Sequence, residues 1–289
     1  MPTLPASPVT GIVFLIVALS LNSIKDGLAK MLDGYYPPAY LLCVQLIVAS
    51  FILVPLIVHK YGRGVLAPRP YPQQIFRAIF FIGGVGLFYW SLNFIPLADA
   101  TSMVFVAPLV VTAVSPFFLG EKLGAHRITA VIVGFAGVIV MTRPDLEGDR
   151  AGYFIALAAG GTLGFFYMMN RKLAALQPQL VAVTHASLIG AILLLPTASF
   201  LWVPFRPEDG LIIAGFLIFA LAGQVLLISA FSYSPASVLA PFQYTQLVAA
   251  TLFGVIVFDA FPDGMTWLGI ALVVAAGLYV AYREARKIL

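Results

Sequence analysis

Residues 211–232 read LIIAGFLIFALAGQVLLISAFS, and residues 235–257 read PASVLAPFQYTQLVAATLFGVIV. Only Tyr233 and Ser234 separate them, and neither stretch holds an Asp, Glu, Lys or Arg. A helix crossing a bilayer takes about 20 mainly apolar residues, so each stretch is long enough for one crossing. Neither carries the polar face that a helix on the surface of a soluble domain presents to water. The reading is two membrane helices joined by a break at Tyr-Ser-Pro.

Outward from this pair the same pattern repeats. Ten apolar runs lie at about 9–31, 36–58, 74–94, 97–119, 127–142, 151–170, 180–202, 211–232, 235–257 and 265–282. Turn-forming residues fill the breaks: Tyr-Tyr-Pro-Pro at 35–38, Arg-Pro-Tyr-Pro at 69–72, Pro144 to Gly148, Pro204 to Gly210, and Pro262 to Gly264. The shortest joints are at Pro96 and at Tyr233 to Pro235. Of the 289 residues 61% are hydrophobic and 10% charged, with a mean hydropathy of +1.01. That excludes a soluble domain and disorder, and the single cysteine, Cys43, excludes a disulfide scaffold. The N-terminus has no basic segment before its long apolar run, so that run reads as a retained helix and not a cleaved signal. The fold expected is an all-α polytopic membrane protein with ten transmembrane helices.

Basic residues distribute unevenly. The breaks after runs 2, 4 and 6, with the C-terminus, hold Lys60, Arg63, Arg69, Arg77, Lys122, Arg127, Arg171, Lys172, Arg283, Arg286 and Lys287. The opposite breaks hold Lys30, Arg143, Arg150 and Arg206, and Lys25 lies inside run 1. The positive-inside rule then places both termini in the cytoplasm of an inner-membrane protein. A pI near 9.2 suggests nucleic acid in a soluble protein, but here no polar stretch interleaves basic and aromatic residues, so none is expected as a partner.

The chain is weakly self-similar. Gly11 matches Gly152 and Lys30 matches Arg171 at an offset of 141; Ser91, Ala98 and Leu109 match Ser229, Ala236 and Leu247 at 138; Gly137 and Val140 match Gly277 and Val280 at 140. The near-constant offset indicates two five-helix repeats, 1–145 and 146–289. An odd number of helices per repeat inverts the second copy, the device by which secondary transporters expose one midplane site to either side.

Within these repeats, Tyr-Trp-Ser-Leu precedes Val-Ala-Pro-Leu around Pro108, then Leu-Gly-Glu-Lys-Leu at 119–123 and Gly-Phe-Ala-Gly-Val at 134–138. The second half reads Leu-Ala-Pro-Phe-Gln-Tyr-Thr-Gln-Leu-Val from 239, Val-Phe-Asp-Ala-Phe-Pro-Asp from 257, Trp-Leu-Gly from 267 and Ala-Gly-Leu-Tyr-Val from 276. Over nearly its whole length the chain resembles the EamA-type transporters of the drug/metabolite transporter superfamily. Asp259 stands where the family often has Glu, which keeps the charge. The resemblance is nearest to bacterial amino-acid and metabolite exporters. It implies export of small metabolites, amino acids first, through a cavity lined by helices 1, 3, 4, 6, 8 and 9.

Polar groups in hydrocarbon are costly and mark candidate sites. Gln243 and Gln246 share one face of helix 9, where uncharged amides suit a polar solute or glue helices together. Tyr89, Trp90 and Asn93 on helix 3 suit an amphipathic cavity, or core packing and an interfacial belt. Asn22 of helix 1 should face Thr162 and Leu163 of helix 6; Gln45 and Gln224 are also deep. Lys25 and Asp26 are neighbours about 100° apart around the helix, so they should not pair, and Asp26 should reach Lys30. Lys25 could bind a carboxylate or form an outer gate, or could snorkel from a helix end. His185 reads as a hydrogen-bonded packing residue, and the helix dipole accounts for Asp99. Pro108 and Pro241 interrupt helices 4 and 9. Gly160 and Gly164 read as close packing within the bundle.

No HExxH, no cysteine–histidine pair at metal spacing and no run of mid-membrane carboxylates is present. Neither a cofactor nor a metal is expected, the partners are a small solute and the bilayer, and the chain reads as a monomer. A facilitator or exchanger fits better than a proton-coupled pump. The alternatives are carriage of a nucleobase, a vitamin or a drug-like cation, and an intramembrane enzyme, whose constellation of groups is missing.

Overall fold

The computed structural model describes residues 8–32, 34–119, 125–142, 150–173, 176–234 and 239–285. Among these the chain forms α1 (Pro8–Met31), α2 (Pro38–Tyr61), α3 (Tyr71–Ser91), α4 (Leu97–Val104), α5 (Ala107–Leu119), α6 (Ala125–Thr142), α7 (Arg150–Leu173), α8 (Gln179–Phe200), α9 (Gly210–Tyr233), α10 (Thr245–Phe258) and α11 (Gly264–Ala285), with no strand. Seven segments of at least 18 residues are apolar enough to cross a membrane, and three shorter apolar helices accompany them. Ten crossings fit this inventory. Large apolar side chains point outward, Phe51, Phe117, Phe200 and Leu211 among them at 78%, 86%, 90% and 88% exposure. In water that surface would aggregate; in hydrocarbon it is solvated.

Proline decides where helices start. Pro37, Pro70 and Pro178 sit at the N-caps of α2, α3 and α8, where the missing N–H is lost at no cost. Pro108 lies one residue into α5 and cannot donate to Val104, so the fourth span breaks at Phe105 and Val106. The ninth span also breaks: a 3-10 turn at Ala240–Tyr244, containing Pro241, precedes α10. Residues 235–238, which hold the joint after Tyr233, lie outside the described residues. The motif Gly120 to Leu123 lies outside them as well.

The helices pair across the sequence more than along it. The most extensive packing is α1 on α9, α3 on α7, α6 on α11 and α2 on α8, followed by α1 on α10 and α5 on α7. Small residues permit it. A Cβ on Gly160 would press on the backbone of Met103 and Val104, and one on Gly164 on Val110 and the Ala107 carbonyl. The glycine face of α7 thus seats against the break between α4 and α5, which is close packing within the bundle. The larger apolar core runs from Leu42 and Leu46 to Phe216 and Val273, and a smaller one joins Leu15 and Leu19 of α1 to Ala230 of α9.

Candidate functional site

Where α1, α2, α3, α9 and α10 converge, polar groups collect inside the apolar core. Lys25 and Asp26 are 9% and 4% exposed. Lys25 Nζ lies 2.8 Å from Asp26 Oδ1. The approach is an ion pair and not an aligned hydrogen bond, since Asp26 Oδ1 has no partner of proper angle. This corrects the expectation that helical neighbours do not pair. The side chains diverge at Cβ, but a four-carbon stem can fold back, and burial among apolar helices leaves the ammonium no water to prefer. Asp26 does not take Lys30. Lys30 Nζ donates to the carbonyls of Leu92 (2.6 Å) and Ile95 (2.8 Å), just past the C-terminal end of α3. Cations are favoured there by the helix dipole.

An aromatic floor supports the pair. Lys25 Nζ sits 5.3 Å from the centre of the Tyr89 ring, within cation–π range. Tyr89 is buried, donates its hydroxyl to Gln45 Oε1 (3.2 Å), and meets Phe216 of α9 edge-on at 6.2 Å. One turn back on α1, Ser23 donates to the backbone carbonyl of Gln246 (2.9 Å). The two broken spans meet alongside: Phe105, at the break before α5, stacks on Tyr244, the last residue of the 3-10 turn, with centroids 5.0 Å apart. A Cβ on Gly277 of α11 would overlap the Tyr244 hydroxyl, so that glycine makes room for the ring.

The residues singled out in the sequence separate into groups. Lys25, Tyr89 and the backbone of Gln246 belong to this cluster. Gln243 and Gln224 are half-buried on the 3-10 turn and on α9. Asn22 lies against Gly223 of α9 and Thr162 against Gly83 of α3, following the packing of α1 along α9 and of α7 along α3. Trp90 and Asn93 stand on the outside of the bundle. Trp90 is 49% exposed, and Asn93 turns its amide back onto the Trp90 carbonyl at 2.8 Å. Asp26 and Gln45 complete the cluster. Asp99 is held by more than the dipole, since Tyr153 donates to its carboxylate at 2.6 Å.

At one end of the bundle the loop after α1 closes on the loop before α9. The Arg206 guanidinium carbon lies 3.3 Å from the Tyr35 ring centre. The Arg206 N–H donates to the Tyr36 hydroxyl (3.1 Å), and Tyr35 donates to the Pro204 carbonyl (3.0 Å). The Lys25–Asp26 pair lies between this closure and the middle of α1.

The EamA-like transporter family matches twice, over residues 9–143 and 150–282. An S-adenosylmethionine uptake transporter of Rickettsia prowazekii (strain Madrid E) is 25% identical over 280 residues, covering 96% of this chain and 94% of its own. An uncharacterized transporter of Helicobacter pylori (strain ATCC 700392 / 26695) is 28% identical over 296 residues, with 96% and 98% covered. A riboflavin transporter of Vibrio cholerae serotype O1 is 23% identical over 288 residues, with 97% and 95% covered. A crystal structure that covers 98% of this chain and 99% of its own superposes with a TM-score of 0.64 at 20% identity, which establishes likeness of fold. None of these relatives' names supports amino-acid export, which the sequence resemblance had implied. The chain is a multi-pass membrane transporter of small solutes, not an enzyme, and it belongs to the EamA-like transporter family.

Proposed function

We propose that the protein is an alternating-access carrier for small amphipathic solutes that join a charged, amino-acid-like head to a planar ring. The observation that carries this reading is the buried Lys25–Asp26 pair on the Tyr89 ring. Opposite charges held side by side can exchange their mutual contact for the two charges of a zwitterion. Tyr89 offers a ring face beside them, with Phe216 set against it. S-adenosylmethionine, named for one set of relatives, has both features; riboflavin, named for another, has the ring.

The carrier would consist of two inverted five-helix halves, residues 1–145 and 146–289. Two matches to one family support this, and so does the pairing of helices. An axis exchanging the halves turns α1 on α9 into α7 on α3, and α1 on α10 into α7 on α4 and α5; all of these contacts occur. The solute would sit between the halves near Lys25 and Tyr89, with Asn22, Gln224, Gln243, Gln246 and Thr162 along its path. The Lys/Arg distribution supports cytoplasmic termini in an inner membrane. In that orientation the Arg206–Tyr35 closure is the outer gate.

Liposomes holding the purified protein test this. Labelled S-adenosylmethionine should accumulate, with competition from aromatic zwitterions and not from uncharged or ring-free solutes. Gln243→Leu and Gln246→Leu should weaken competition several-fold with unchanged melting, the effect of about 0.5–1.5 kcal/mol per hydrogen bond. Uptake of neither S-adenosylmethionine nor an aromatic amino acid overturns the proposal.

A further inference from the structure

We infer that the chain holds a second binding site, for an oxyanion, where α3 and α8 begin, built on Arg77 and the glutamines around it. It is separate from the Lys25 cluster. By sequence Arg77 groups with the basic residues of the break after the second span, but α3 starts at Tyr71, so Arg77 lies nearly two turns inside and is fully buried. Its Nη2 donates to the Ala182 carbonyl of α8 (2.5 Å). Among the described residues its Nε and Nη1 have no partner and it forms no ion pair. A guanidinium cannot shed its proton to escape such a place. An unpaired charge so buried costs several kcal/mol, and an arriving anion removes that cost.

The surroundings reinforce the sign. The first turns of α3 and α8 contain no acidic residue, and neither helix has a side-chain cap on its N–H groups. Both positive helix ends therefore favour an anion here. Gln177 Nε2 is a buried donor without a partner, and Gln73 Oε1 and Gln74 Oε1 are buried acceptors without one. Oxygen and nitrogen of an amide exchange places by a half-turn, so Gln73 can present an N–H₂, whereas Gln74 Nε2 donates to the Arg69 carbonyl at 3.5 Å. His185, 2% exposed, is engaged through Nε2 with the Val65 carbonyl at 2.7 Å, the packing role expected of it. On the surface beside the start of α3, Arg69, Tyr71 and Leu176 line an open depression. Donors on several sides with no counter-charge suit a group with several acceptor oxygens, and arginine suits phosphate and carboxylate geometry. The group could arrive as the headgroup phosphate of a lipid in the adjoining leaflet, or as a free oxyanion in water.

The test is thermal unfolding of delipidated full-length protein in dodecyl maltoside, at matched chloride ionic strength. One arm adds inorganic phosphate and the other dioleoyl-phosphatidylglycerol. The melting temperature should rise by roughly 3 °C for each tenfold of ligand above its Kd. A rise with the lipid alone assigns the site to a headgroup, and a rise with phosphate assigns it to a soluble oxyanion. Arg77→Gln should lose the rise. Gln74→Glu should melt higher than wild type without ligand, because it supplies an internal anion, and should no longer respond. The site is overturned if wild type responds to neither addition, or if Gln74→Glu responds as wild type does.

Discussion

Lys25 and Arg77 are both cations buried among apolar helices, and the protein treats them differently. Lys25 has a carboxylate at 2.8 Å and an aromatic ring beneath it. Arg77 has one backbone carbonyl. The first arrangement is closed: the two charges answer each other, and a solute enters only by offering charges of its own. The second is open, with donors left unmatched inside a positive environment. Burying a charge is costly in either case, so function can be read from what answers the charge and not from the burial itself.

The comparison breaks first at Asp26. Asp26→Asn leaves the Lys25 ammonium buried without a counter-charge, a loss of about 3–5 kcal/mol, or roughly 10 °C in melting temperature. Lys25→Met combined with Asp26→Leu should recover most of the stability, since removing both charges also removes the need to desolvate them. That double variant should fold and not carry a zwitterion. Purified Asp26→Asn that melts with wild type would mean the pair is not closed.

Arg77 should behave in the opposite sense. Arg77→Met fills similar volume without charge and should raise stability by about 1–3 kcal/mol in phosphate-free, lipid-free detergent. Unfolding followed side by side with Asp26→Asn gives the contrast directly. If Arg77→Met is destabilised as much as Asp26→Asn, then Arg77 is already answered and the two cations are alike.

Much of the fold was legible because lipid imposes one rule on every span. Length and apolarity located α1, α2 and α7 to α9 within a few residues of their ends. Proline at 108 and 241 marked the breaks in the fourth and ninth spans. The site was less legible, because it depends on rotation about a helix axis and on which helices meet. Trp90 and Asn93 follow Tyr89 within one turn, yet Tyr89 points to Phe216 while the other two point outward. Span length is blind to that rotation. Lys25 and Asp26 were set 100° apart by ideal geometry, which ignores the reach of a lysine. Arg77 was hidden by its position near a helix start, where charge normally means a loop. Its signal was available: it lies inside the run counted from residue 74.

Tyr89 allows the smallest and sharpest cut, because two of its interactions separate chemically. Its hydroxyl bonds Gln45 at 3.2 Å, and its ring carries the Lys25 ammonium at 5.3 Å. Tyr89→Phe removes only the hydroxyl. The loss should be about 0.5–1.5 kcal/mol, with Gln45 only half-buried and able to turn elsewhere. The ring face persists, so solute competition should stay close to wild type. Tyr89→Leu removes the face as well, adding about 0.5–2 kcal/mol for the cation–π contact at this desolvated place. Competition by aromatic zwitterions should then weaken. Equal transport by the Phe and Leu variants would show that the ring merely fills space beside the ion pair. Equal loss in both would shift the weight to the hydroxyl and Gln45. Only a split between them, with Phe near wild type and Leu impaired, fits a pair held on an aromatic floor and opened by a solute that brings its own ring.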